Sequence, residues 1–461
     1  MIPGDAAAPG VLPLNQREPL FRRLRHLALR DTNVIVIAVI LNNLLRAVSS
    51  VILTRLLVPE VFGIAGVIAS VQFTVALASD LGFQAFVVRH EDGDKPRFLD
   101  TVWTISLVRS SLLALVLAVL ASPLADLLGK PDLAPLIAIS GLTFVIEGLA
   151  SLTLLTALRK RMILRLSVLE LIVLIVQIAA SVLLAFLWGN YWAILVAMLV
   201  SSALKTVLSY AMFADSVRTF ALDRVYLRDL WSFARYVTGS SIIFLLVSQC
   251  DKLVLAKVMP LEHFGFYILA GNLASAPLAF ATAYASRVLF PIYSQLWRED
   301  HQDLRTEFYA RRRIPSLLYS FAAGGIIGSA HLVIGILYDD RYAEAALYLQ
   351  ILGIAPLFAL ASNAANETLT ATGRISATFQ ASIAKLAWLA AAGTAGYLLY
   401  GQFGLVLAVG LMEVPALGLK WIRMHHASLL DMRQEVLFVM AGFLGILCGL
   451  GGDWLIGLWL R

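Results

Sequence analysis

The chain has 461 residues, of which 60% are hydrophobic and only 14% charged, and its mean hydropathy is +0.82. Soluble domains carry about 25% charged residues, so this composition excludes a water-soluble enzyme and predicts an all-α polytopic membrane protein. Two cysteines, Cys250 and Cys448, both in apolar segments, exclude a disulfide framework.

Residues 1–33 begin rich in Ala, Pro and Gly and become basic, with no small-residue cleavage site after a short apolar core, so they read as a cytosolic lead-in rather than a signal peptide. Apolar runs of about 20 residues then predict membrane helices near 34–57, 61–88, 98–121, 133–157, 163–188 and 191–213, which together make an N-lobe over 34–213. A basic inter-lobe linker follows at 214–235. Six further runs, near 236–258, 264–292, 314–338, 343–370, 376–400 and 403–424, make a C-lobe over 236–424. A last apolar segment, 434–460, is interrupted by Gly449-Leu450-Gly451-Gly452-Asp453 and fits either one long helix or a hairpin.

Basic residues fall in alternate loops. One side receives the lead-in arginines and those of the later loops, among them Arg89, Arg97, Arg159, Arg161, Arg224, Arg312, Arg374 and Arg423, whereas the other has Arg55, Lys130, Lys257 and Arg341. Loops retained in the cytosol keep their Lys and Arg, so the amino terminus is expected on the cytoplasmic side. The net charge of +6 then reflects topology, and no nucleic-acid partner is expected.

The outer loops are bare turns, such as Gly189-Asn190-Tyr191 and Gly401-Gln402-Phe403, and leave no platform for an outer-face transferase or polymerase. The sequence contains no phosphate loop, His-Glu-x-x-His, Cys-x-x-Cys or G-x-S-x-G. The pair His425-His426 occupies adjacent positions that do not share a helix face, so it is not a metal site. No enzymatic activity, cofactor or metal is expected, and any transport would draw on an ion or substrate gradient.

What remains is a set of charges within the apolar runs, each costing at least about 2.5 kcal/mol at mid-bilayer unless shielded. Arg46, Arg109 and Lys385, with Lys252 and Asn42, are the candidates for a cationic cavity; Arg46 and Arg109 carry the planar guanidinium that suits a bidentate phosphate or carboxylate. Asp80, Glu147, Glu413, Asp251 and Glu367 are the candidate ion-coupling acids. Polar stripes at helical spacing, such as Asn42, Arg46 and Ser49, or Asn363, Asn366, Glu367 and Thr370, point to a wet interior, although Ser and Thr positions fit helix packing equally well.

One segment repeats. Arg55-Leu56-Leu57-Val58-Pro59-Glu60-Val61-Phe62-Gly63 returns as Lys257-Val258-Met259-Pro260-Leu261-Glu262-His263-Phe264-Gly265, with base, acid and Phe-Gly in register. Each copy joins the first two helices of its lobe, so the lobes are duplicates facing one another. Arg55, Glu60, Lys257 and Glu262 are expected to form an outer gate, with Arg55 and Lys257 reaching the acid of the opposite lobe or, alternatively, of their own connector.

With its outer connector T-R-L-L-V-P-E-V-F-G, the stretch Asp251-Lys252-Leu253-Val254-Leu255-Ala256-Lys257 and the L-G-F-Q-A-F-V-V-R end of the second run, the chain resembles the polysaccharide transporters of the multidrug/oligosaccharidyl-lipid/polysaccharide flippase superfamily, whose best-known members are Wzx-type O-antigen flippases. The resemblance spans about 30–425 and implies a V-shaped pair of six-helix lobes in the bacterial cytoplasmic membrane. It also implies alternating access, and a polyprenyl-diphosphate-linked glycan as substrate, with membrane lipid around the tail and a polysaccharide polymerase complex as a possible partner. Related lipid II flippases have more arginines on their first two helices and two extra helices. Three function classes stand: a lipid-linked oligosaccharide flippase, an ion-coupled multidrug exporter or lipid II flippase, and a membrane-embedded transferase or polymerase. The sign of the cavity charge separates the first two.

Overall fold

The computed structural model describes residues 31–214, 217–299 and 303–459, and all of its regular structure is helical. The 1–33 lead-in therefore lies outside the described residues, apart from its last three. Helix α1 (Asp31–Leu56) is followed by α2 (Pro59–Ala78), α3 (Phe83–Arg89) and α4 (Pro96–Leu127). Three short helices, α5 (Ala134–Ser140), α6 (Leu142–Gly148) and α7 (Thr153–Arg159), precede the long α8 (Ile163–Trp188) and α9 (Trp192–Ala211).

The second half begins with α10 (Arg224–Val258) and α11 (Leu261–Tyr284), which continues through a π turn into α12 (Phe290–Arg298). Next come α13 (Leu304–Gly328), α14 (Ala330–Leu337), α15 (Ala345–Leu352), α16 (Ile354–Ala371), α17 (Ser376–Trp388), α18 (Thr394–Gly410), α19 (Glu413–His426) and α20 (Met432–Trp459).

Among the described residues ten segments are long and apolar enough to cross a membrane, and α13 with α14, bent by 69°, makes an eleventh; α10, which holds the predicted span 236–258, is not one of them. The 51 residues from Ser376 to His426 form one of the ten but hold two predicted spans, turned back at Gly401, whose φ of 60° is a conformation that glycine adopts without strain. The predicted span 61–88 is broken. After Ala78 the chain turns through Gly82 at φ 68°, and the Asp80 carboxylate accepts the Gly82 amide at 2.9 Å. Of the segment 434–460, open between helix and hairpin in the sequence, the described residues 434–459 belong to a single helix, α20.

Helix α20 lies along α13 with glycines on both sides of the seam. A Cβ on Gly324 would stand 2.0 Å from the Gly442 carbonyl oxygen, and one on Gly445 would stand 2.1 Å from that of Phe321. Side chains larger than hydrogen would force the helices apart. Near its start, the Glu435 carboxylate is fully buried and accepts from the Arg312 guanidinium and from Tyr309 Oη at 2.7 Å, while Arg312 also lies over the Phe438 ring.

The stretch between the halves is pinned to the first. Thr219 Oγ1 donates to Asp100 at 2.8 Å, the Asp223 carboxylate pairs with Arg97 at 3.0 Å, and Leu230 of α10 packs with Phe86 and Phe98. Residues 224–235, predicted as linker, are thus the opening turns of α10.

Candidate functional site

The repeated connectors meet. Pro59 and Pro260 place φ correctly at the starts of α2 and α11, and the two helices cross within their first turns. A Cβ on Gly63 would lie 1.9 Å from the Leu261 carbonyl oxygen; one on Gly265 would lie 2.1 Å from that of Pro59. Around this crossing the buried side chains of Val61, Phe62, Ile64, Val67, Phe264, Phe266 and Tyr267 join a single apolar core drawn from both halves.

The loops beside the crossing reciprocate. Lys130, between α4 and α5, donates to the carbonyls of Ala256 and Met259 (3.0 Å for the latter) at the end of α10. Arg341 and Tyr342, between α14 and α15, donate to the end of α1: Arg341 to Thr54 at 3.4 Å and Arg55 at 3.3 Å, Tyr342 to Leu57 at 2.7 Å. The last carbonyls of a helix lack intrahelical donors and carry the negative end of its dipole. Each half therefore caps the first helix of the other with a cation.

The expected gate is different in kind. Arg55, Glu60, Lys257 and Glu262 are all exposed, and none forms an ion pair among the described residues. At the crossing itself the closest approaches are between the glycines and backbone carbonyls of the two connectors.

Away from the connectors the cover lessens. On α2 the buried run ends at Val71, and on α11 burial thins after Ala274, where Ser275, Leu278, Phe280 and Thr282 are exposed and Ala281 alone is again buried before the π turn. Toward the end that carries the arginine-rich loops the first half keeps its contact with α10, at Asp80 with Thr238 and Ser241 and at Phe86 with Leu230, while α2 and α11 are covered less. Arg46 of α1 is exposed, with no partner among the described residues. Ser50, one turn further on and on the same face, touches Tyr338 Oη of the opposite half at 3.0 Å, so Arg46 shares a helix face with a contact to the second half. Lys252 is half-buried without a side-chain hydrogen bond or ion pair among the described residues.

The other cavity candidates are engaged. Arg109 donates to the carbonyls of Ser79 at 2.7 Å and Ala76 at 2.8 Å and to Ser79 Oγ at 2.9 Å, capping the broken end of α2. Lys385 is salt-bridged to Glu413, and Asn42 donates to the Ala38 carbonyl of its own helix at 2.9 Å. Arg46 and Lys252 are left as the available cations of the expected set.

Comparison with known proteins decides the family. A profile described as polysaccharide biosynthesis protein matches residues 52–347, well over half of the chain. The chain belongs to this family. Among its curated relatives, lipopolysaccharide biosynthesis protein WzxC of Escherichia coli K12 is 23% identical over 80% of this chain and 74% of its own length. Succinoglycan biosynthesis transport protein ExoT of Rhizobium meliloti is 26% identical over 67% of this chain, and the match spans 62% of that relative. In fold, the chain is similar to lipid II flippase MurJ in an inward closed conformation, with a TM-score of 0.67 at 13% identity over 90% of this chain and 91% of that one. An inward-facing multidrug transporter of the MOP superfamily gives 0.62 at 15% identity over 84% of this chain and 95% of that one. The architecture is that of this superfamily.

Within this family member the candidate acids have distinct surroundings. Asp80 is a joint between the halves: its carboxylate accepts from Ser241 Oγ of α10 at 2.8 Å, and its carbonyl accepts from Thr238 at 2.6 Å. Glu413 accepts from Lys385 and from Ser362 Oγ at 3.0 Å, and Lys420 donates to the same Ser362 at 2.9 Å. Asp251 accepts from Tyr267 Oη at 2.5 Å, Ser202 Oγ stands 3.4 Å from Glu147, and Glu367 is half-buried. The structure does not bring these five acids into one site.

An apolar cavity of about 560 Å³ lies between α11 and α13, lined by Pro277, Phe280, Tyr284, Leu318, Tyr319 and Ala322 among others. Sequence reading missed this groove, together with the capping roles of Lys130 and Arg341. The isolated placement of those two cations beside helix ends on an otherwise charge-poor side was a signal for the latter.

Proposed function

We propose that this chain flips a polyprenyl-diphosphate-linked oligosaccharide, in the resemblance an undecaprenyl-linked repeat unit, from the cytoplasmic to the outer face of the bacterial cytoplasmic membrane by alternating access. The observation that carries the reading is the exposed, unpartnered guanidinium of Arg46, on the face of α1 that also meets the second half, in a bundle whose halves are joined through the reciprocal connectors. An arginine that no protein acceptor occupies is suited to a diphosphate, which it can hold through two parallel hydrogen bonds. Lys252 adds a second positive charge along the same path.

The names of the relatives support the substrate class, since one is a lipopolysaccharide biosynthesis protein and the other a succinoglycan biosynthesis transport protein. The groove between α11 and α13 gives a hydrocarbon tail a place to rest while the head group is at Arg46. The distribution of positive loops favours a cytoplasmic amino terminus, on the side where such intermediates are built. A polymerase on the far side would receive the product.

Transport through an anionic cavity, as a drug-cation exporter needs, is the weaker reading, because Glu413 already has Lys385 as its counter-ion and Asp80 holds the halves together. The direct test is flipping of a lipid-diphosphate oligosaccharide in proteoliposomes. Flipping by the wild type, with loss in Arg46→Ala, supports the proposal. No flipping of any lipid diphosphate, with proton- or sodium-driven efflux of organic cations instead, refutes it.

A further inference from the structure

A cavity of about 190 Å³ opens at the arginine-rich end of the second half, lined by Arg374, Ser376, Ala377, Arg423, His426 and Ala427. Arg374 leaves the turn after α16, Arg423 and His426 end α19, and Ser376 begins α17. No carboxylate lines the cavity, and among the described residues neither arginine has an ion-pair partner. Arg423 makes one neutral contact, to Gln380 Oε1 at 2.6 Å. The amides of Ala377 and Thr378 are already bonded to the carbonyls of Arg374 and Ile375, both at 3.1 Å, so the side chains rather than the helix terminus supply the donors.

An apolar track starts at this cavity. Ile375, Phe379 and Ile383 follow one another at four-residue spacing along α17 and are 65%, 52% and 47% exposed, with Ile422 of α19 beside Arg423 at 59%. Residues i, i+4 and i+8 share a helix face, so the track runs from the cationic rim toward the membrane interior. A ligand that matches both parts carries a phosphate on a hydrocarbon chain.

We propose that this rim binds the phosphate of an anionic glycerophospholipid, with its acyl chains along Ile375, Phe379 and Ile383. Every lining residue comes from the second half. A bound lipid here stays with one half throughout a transport cycle, whereas a cargo must contact both. This site is separate from the transport path and does not depend on the function proposed above.

The test uses the purified full-length protein and native mass spectrometry, titrating phosphatidylglycerol, phosphatidylcholine, polyprenyl monophosphate and inorganic phosphate in turn. Phosphatidylglycerol is expected to be retained in preference to phosphatidylcholine. The preference should fall about threefold in Arg374→Gln and about tenfold or more in Arg374→Gln with Arg423→Gln, the expected scale for charge-assisted contacts discounted for solvent exposure. Thermal unfolding in lipid-free detergent checks that the variants fold; if the double variant does not, the single Arg374→Gln, at an exposed and unpaired position, decides the matter. Equal retention of the two phospholipids, unchanged preference in the variants, or tighter retention of polyprenyl monophosphate or inorganic phosphate than of phosphatidylglycerol overturns the assignment.

Discussion

Gly63 and Gly265, equivalent positions in the two halves, each lie against the backbone of the other half's connector, so that a Cβ on either would reach within about 2 Å of a carbonyl oxygen. The crossing can close only while both positions lack a side chain. Gly63→Val and Gly265→Val are therefore expected to hold the seam apart. Spin labels at Glu60 and Glu262, both exposed, should report a longer distance in either variant than in the parent, at similar expression. An unchanged distance distribution would mean that the seam relaxes around the added methyls.

Lys130 should act as a latch on that seam. Lys130→Ala removes two charge-assisted contacts to the end of α10, expected to cost about 1.5 kcal/mol, or roughly tenfold in the ratio of closed to open forms. Lys130→Arg should restore most of it. Accessibility of a cysteine at Val61 to a membrane-impermeant reagent is the measurement.

The partner latch responds to pH in one direction. The Arg341 guanidinium and amide hold the Asp339 carboxyl below its ordinary range, because both donate hydrogen bonds to it. A carboxyl with a depressed pKa contributes while it is ionised, above its ordinary value of about 3.9, and loses that contribution as pH falls through the depressed value. The label distance across the outer end should stay constant from pH 7 to about pH 5. A transition within that interval would place the pH-sensitive group elsewhere.

Arg46 and Arg109 should separate by phenotype. Arg46→Ala, at an exposed position without a partner, is expected to abolish polymer export in a complementation assay while leaving the melting temperature unchanged, and Arg46→Lys should rescue only in part. Arg109→Ala leaves the Ala76 and Ser79 carbonyls uncapped, so it should lower the melting temperature first. Export by a normally expressed Arg46→Ala protein at the parental level would remove this residue from substrate binding.

The buried pair Arg312 and Glu435 predicts an asymmetry. Glu435→Ala leaves an uncompensated buried cation and should destabilise by about 3 kcal/mol or more, whereas Arg312→Met combined with Glu435→Leu should be close to neutral. Thermal unfolding of the three proteins decides this; additive losses in the double variant would contradict it.

The apolar runs and the repeat at 55–63 and 257–265 were legible because length, hydropathy and register are local properties. The pairing of Lys385 with Glu413 was not, since it depends on which faces of α17 and α19 meet, and a single sequence carries no such register. The capping contacts of Arg109 were not legible because the second run looks continuous to Val88, hiding the helix end at Ala78 that the guanidinium caps. The glycines of α13 and α20 were visible at small-residue spacing, Gly324 and Gly328 against Gly442, Gly445 and Gly449, and announce a close helix pair to a reader who seeks one.

The Arg312 to Glu435 contact joins residues 123 apart in sequence. At roughly 5–20 residues per second of synthesis, the arginine reaches the membrane some 6–25 seconds before its counter-ion exists. During that interval the second half presents a bare cation and an uncovered row of glycines to lipid and to whatever insertion machinery holds it. Helix α20 is therefore also the element that ends this exposure of the nascent chain to quality control, and a chain cut short before Met432 would carry that exposure permanently.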